Sequence, residues 1–175
     1  MGILAKITAG LFLANADPSR GAVEVLRSLQ LFEDLIRDLK RDTDPSEGKV
    51  WPPLFDKYNR LYVLAVRTKC LSMVGDKNNA HALASTFVRV IEKPKFHLLI
   101  AGVNFLFDLV LSVIDDLGDS TLLVRALNAL EPWAKKMPIC QSLVEQYTDL
   151  LKDKYMLPQA TTTPSATASI IEEMT

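Results

Sequence analysis

The chain has 175 residues, 49% of them hydrophobic, and its 20 Lys and Arg against 21 Asp and Glu leave a formal charge of −1. That length and apolar content suit one domain with a sizeable core, and the balanced charge argues against a general nucleic-acid binder, which needs a basic field to neutralise phosphates. Cys70 and Cys140, each in an apolar helix-like context, read as reduced buried thiols rather than as a disulfide framework.

Residues 3 to 14 predict a short helix. Ile3, Leu4, Ile7 and Leu11 share an apolar side, Phe12 and Leu13 broaden it, and Lys6 supplies one positive charge. The segment has the outline of a signal peptide, but Thr8 and Gly10 break its apolar run early. Gly2 invites myristoylation, yet Lys6 stands where Ser or Thr is favoured, so that signal is incomplete. The expectation is that residues 1–14 are peripheral and contact a membrane or a partner; the competing reading is a first helix packed on the body.

The next helix starts cleanly, with Asp17 as N-cap and Pro18 at the first helical position, where a missing N–H costs nothing. Ala22, Val25, Leu29, Phe32, Ile36 and Leu39 recur at spacings of 3 and 4 and define its inner face. Glu33 and Arg37, four apart with the acid first, predict an exposed ion pair. Residues 42–53, with clustered Asp, Pro, Ser and Gly, read as a loop.

A helix from Pro53 to about Met73 carries Leu54, Tyr58, Leu61 and Ala65 on one side, with Phe55, Tyr62 and Val66 beside them. After Gly75-Asp76 an amphipathic helix presents Ala80, Leu83, Ala84, Phe87, Val88 and Ile91, and Pro94 ends or kinks it. Further helices restart from Ser120 and from Pro138, the last with Ile139, Leu143, Tyr147 and Leu150 or Leu151 inward. No alternating stretch is long enough for a strand. The fold class is all-α: a single compact domain of about five to seven helices over residues 1–157, then a Thr/Ser/Ala/Pro-rich segment, 158–175, expected to be a disordered tail.

Residues 95–116, KFHLLIAGVNFLFDLVLSVIDD, are the most apolar stretch and approach the length of a membrane span. His97, Ala101, Asn104, Asp108, Ser112 and Asp115 follow one another at 4, 3, 4, 4 and 3 residues, which confines them to one lane of roughly 80° on a helix. A single-pass helix would hold Asp108 near the bilayer centre at a cost of about 2.5–3.5 kcal/mol. A mostly buried central helix near 95–117, its polar lane turned to water or to a polar partner, is the better reading.

Neither His81 nor His97 stands in a metal-ligand ladder or at a redox spacing from a cysteine, so no metal and no cofactor is expected. No glycine-rich phosphate loop or nucleophile elbow is present. His97, Asn104 and Asp108 form the polar-lane candidate, to be hydrogen-bonded if neighbours cover them. In the tail, Pro164, Ser165 and Ala166, followed by Thr167, resemble the P-[ST]-A-P motifs by which viral structural proteins recruit budding machinery, with Thr167 in place of the final proline. Ile170 and Ile171 ahead of two acids are similar to small-modifier-binding peptides that add a strand to a sheet edge.

These features favour a non-enzymatic helical interaction or structural protein of the cytoplasm, acting on another protein or on itself. The second reading is a membrane-peripheral, matrix-like protein using its N-terminal segment, and the third a small helical enzyme or ligand-binding bundle.

Overall fold

The computed structural model describes residues 2–41, 53–93 and 103–155, apart from the side chains of Leu4, Asn15 and residues 53–56. Among them are seven helices and no strand: α1 (Ile3–Ala16), α2 (Pro18–Arg41), α3 (Pro53–Met73), α4 (Lys77–Ile91), α5 (Val103–Asp116), α6 (Ser120–Ala134) and α7 (Pro138–Tyr155). The fold class is therefore all-α. The expected loop at 42–52, the first part of the central helix at 94–102, and the tail from Pro158 with its motifs lie outside the described residues.

Local chemistry sets the boundaries. Asp17 alone separates α1 from α2; its N–H closes α1 on the Leu13 carbonyl at 2.8 Å, and its carboxylate accepts the Arg20 N–H at 3.2 Å. Two later corners share one design. Gly75 (φ 84°) and Gly118 (φ 74°) adopt the left-handed conformation. Each is followed by an aspartate whose N–H reaches back to a carbonyl five residues earlier, Asp76 to Leu71 at 2.9 Å and Asp119 to Ile114 at 3.3 Å. This is a Schellman stop. The same aspartates then cap the next helix, Asp76 accepting the Asn79 N–H at 3.3 Å and Asp119 the Leu122 N–H at 2.8 Å.

Two apolar clusters meet at α3. The larger gathers Leu61, Phe87, Leu106, Phe107, Ile114, Leu123, Leu130, Trp133, Cys140 and Tyr147 from α3 to α7. At its centre the Phe107 ring stands edge-on to Phe87 (centroids 6.1 Å apart) and to Trp133 (5.7 Å), arrangements that suit the ring quadrupoles. The smaller joins Ile7 of α1 with Ala22, Val25, Leu29 and Phe32 of α2 and Val66 and Cys70 of α3. Tyr62 and Leu109 touch both clusters, so the α1–α2 hairpin is fastened to the body rather than tethered by a linker.

α1 and α2 run antiparallel and very close. A Cβ at Gly21 would stand 2.2 Å from the Ala14 nitrogen, and one at Gly10 would stand 2.5 Å from Val25 Cγ2. Glycine is required here by space, not by dihedral angle.

α5 is buried along Val103, Leu106, Phe107, Val110, Leu111, Val113 and Ile114, as a central helix should be. No described helix is long and apolar enough to cross a membrane. Two inner faces differ at their ends from the periodic reading. Leu39 is 47% exposed and Ile139 58%: Leu39 stands in the last turn of α2, and Cys140 takes the buried position at the start of α7. The expected Glu33–Arg37 pair is also replaced: Glu33 reaches across to Arg67 on α3, and Arg37 bonds Asp34 at 2.9 Å.

Candidate functional site

Three surfaces contain the residues singled out from the sequence or the groups the fold leaves over. The first is the polar lane of α5. His97 lies outside the described residues; Asn104 is half-buried and Asp108 exposed. Asp108 accepts the Tyr147 hydroxyl of α7 at 3.0 Å, Ser112 accepts Lys69 Nζ of α3 at 3.2 Å, and Asp115 accepts Lys154 Nζ of α7 at 2.8 Å. The lane is thus a seam of interhelix bonds. Each acceptor has an internal partner, which gives it a structural task.

The histidine and cysteines follow the same pattern. His81 Nε2 lies 2.8 Å from the Asp119 carboxylate, and that hydrogen bond, with the capping N–H of Leu122, holds the Asp119 carboxyl below its ordinary range. Cys70 and Cys140 are free and buried; burial pushes the Cys70 thiol up to about 12, far from a thiolate nucleophile. No group of three or more His, Cys, Asp or Glu among the described residues could hold a metal ion.

The second surface is the outer side of α1. Ile7 is fully buried, Ile3 and Leu11 are partly buried, and Lys6 is exposed; the side chain of Leu4 is outside the described set. The apolar side foreseen for membrane or partner contact is therefore largely spent on α2 and α3. A second apolar row remains outside. Ala5, Ala9, Phe12 and Ala16 follow at 4, 3 and 4 residues and all are exposed, with Phe12 at 72%. Lys6 is the single charged residue of the helix. A helix with so little charge ordinarily lies mostly inside something, yet Ala5, Ala9, Phe12 and Ala16 of this one face water.

No known protein family, no curated protein and no solved structure matches this chain. What it does must be read from its own surfaces.

The third surface went unnoticed in the sequence: a groove between the C-terminal half of α2 and α3, with a volume of about 460 Å³. Phe32, Ile36, Val63 and Leu64 give it apolar walls, and Arg37, Lys40, Arg60 and Arg67 surround these against the carboxylate of Glu33. The cations are engaged already, Arg37 with Asp34, Arg67 with Glu33, and Lys40 and Arg60 in contacts of their own. Asn59 also lines the groove. It is 5% exposed, and its Nδ2 is buried with no hydrogen-bond partner.

Proposed function

We propose that this chain is a non-enzymatic, helical structural protein that associates with a second copy of itself through the outer face of α1. The observation that supports this reading is Phe12, 72% exposed on a helix with one charge. The row Ala5, Ala9, Phe12, Ala16 has the alternating 3 and 4 spacing of a coiled-coil seam. Laid antiparallel on its own copy, the row sets the large Phe12 over the small Ala9 and Ala5 over Ala16, and the two Lys6 ammonium groups fall on either side of the centre. Self-complementarity of this kind is what a two-fold contact requires. Small residues favour a close helix neighbour over a bilayer, where alanine buries little area. On α2, Leu31, Leu35 and Leu39 are exposed too and extend the apolar surface near the start of α1.

A helix of 14 residues is only about 21 Å long, well short of a standard interface of about 800 Å² per partner, so the dimer should be weak. Sedimentation equilibrium of the full chain should show a concentration-dependent dimer, and Phe12→Ser should abolish it without lowering the melting temperature. A monomer at every concentration would sink the proposal. Vesicle co-sedimentation of the same two proteins is the second arm: lipid binding lost in Phe12→Ser, with no dimer, would favour the membrane-peripheral reading instead.

A further inference from the structure

A buried N–H without a partner costs about 1–3 kcal/mol, and natural folds seldom leave one. Asn59 Nδ2 is such a group, and Asn59 lines a groove whose walls are apolar and whose surrounding charges are mostly positive. A hydrogen-bond acceptor with a negative charge and an apolar body would answer all three features together.

We infer that the α2–α3 groove is a binding site for a single-chain carboxylate amphiphile. Its chain would lie along Phe32, Ile36, Val63 and Leu64, and its carboxylate would share Arg37 with Asp34 and take the turned amide of Asn59. Asn59 Nδ2 is shielded as the side chain stands, but the residue lines the groove, and the amide torsion is broad enough to turn the donor into it. The volume of about 460 Å³ is in the lower part of the range for small-ligand sites, about 300–1,000 Å³, which suits one acyl chain. A carboxylate is the head group for which the site already has a precedent: Glu33 sits on Arg67 within it, showing that the guanidinium fork there takes carboxylate oxygens.

The inference is independent of the α1 seam. It is tested by calorimetric titration of the full chain with dodecanoate, dodecanol and dodecylamine, each below its aggregation threshold. Dodecanoate should bind and the other two much more weakly. Arg37→Glu, at a side chain 71% exposed whose loss costs the fold only its surface pair with Asp34, should weaken dodecanoate about tenfold or more, the equivalent of one charge-assisted hydrogen bond. Glu33→Gln should tighten it by removing the competing carboxylate. Asn59→Leu should weaken it while leaving thermal stability equal or higher, since an unsatisfied donor is removed. Absence of dodecanoate binding, equal binding of dodecanol, or indifference to Arg37→Glu would each overturn the inference, as would binding seen with anionic vesicles but not with free dodecanoate.

Discussion

The Tyr147 hydroxyl of α7 donates to the Asp108 carboxylate of α5 at 3.0 Å, joining a ring that is 4% exposed to a carboxylate on the surface. Burial, and then the neighbouring Asp108 charge, push the Tyr147 phenol well above its ordinary range, so it is a neutral donor near neutral pH. Removing the donor with Tyr147→Phe should cost about 1 kcal/mol. Asp108→Asn keeps an acceptor oxygen and should cost less than about 0.5 kcal/mol, as surface changes do. Urea denaturation of both single variants and the double variant measures the coupling; a loss above about 2 kcal/mol for Asp108→Asn would mean a second, buried partner.

Asp119 ends one helix corner, caps α6 and holds His81 of α4. Its folded pKa lies below the ordinary value of 3.8. A carboxyl depressed in this way contributes stability above its unfolded pKa and loses it as the pH falls through the folded one. Wild-type stability should therefore exceed that of Asp119→Asn near neutral pH, and the difference should close below about pH 4. Asn still accepts the Leu122 N–H, so Asp119→Ala should be the worse variant, by about 1 kcal/mol for a lost cap. Denaturation series at neutral and acid pH check both statements; a difference that persists unchanged in acid would remove the ionic part of the argument.

The helix starts at Pro18, Pro53 and Pro138 were legible because proline and its capping neighbour act within a few residues, and the inner faces were legible because α-helical period is a local property. Failures came where a second helix decides. Leu39 and Ile139 satisfy the period but stand at the ends of α2 and α7, where covering depends on how far the opposing helix runs. The Glu33–Arg37 rule considers one helix and could not foresee Arg67. Asp108 and Ser112 share one side of α5 by spacing alone, but their partners Tyr147 and Lys69 are 39 and 43 residues away. Asn59 gave no signal at all, since a lone Asn in an amphipathic helix reads as surface until α2 crosses it. The outer row of α1 was partly legible: the scarcity of charge was visible, but which apolar side α2 would take was not.

Both thiols should be silent in the native protein. Cys70 is fully buried and pushed up to about 12, and burial also raises Cys140, so neither offers an accessible thiolate. An aromatic disulfide reagent at neutral pH should release almost no thiolate from the folded chain and two equivalents after denaturation, one for each cysteine in the sequence. Rapid reaction of the folded chain would show that the α1–α2 hairpin over Cys70, or the start of α7 that carries Cys140, opens easily.

The close crossing of α1 and α2 gives a ranked pair of substitutions. Glycine inside a helix is ordinarily a liability of about 1 kcal/mol relative to alanine, so on propensity alone both Gly10→Ala and Gly21→Ala should stabilise. Space reverses that expectation unequally. At Gly21 the new Cβ would stand 2.2 Å from the Ala14 backbone nitrogen and 2.4 Å from its Cα, atoms that move only if the whole hairpin separates. At Gly10 the nearest obstacle is Val25 Cγ2 at 2.5 Å, with backbone no closer than 3.4 Å; one side-chain rotation relieves part of the clash. Overpacking in such places costs about 1–3 kcal/mol, so Gly21→Ala should be destabilised by at least that range and Gly10→Ala by clearly less. Chemical denaturation of the two variants beside the wild type settles the order. The separation should also loosen the smaller core cluster, so Cys70 of Gly21→Ala should react faster with the thiol reagent while Cys140, buried in the other cluster, keeps its wild-type rate. Equal stability of the two variants, or a stabilised Gly21→Ala, would mean that α1 does not hold this contact in solution.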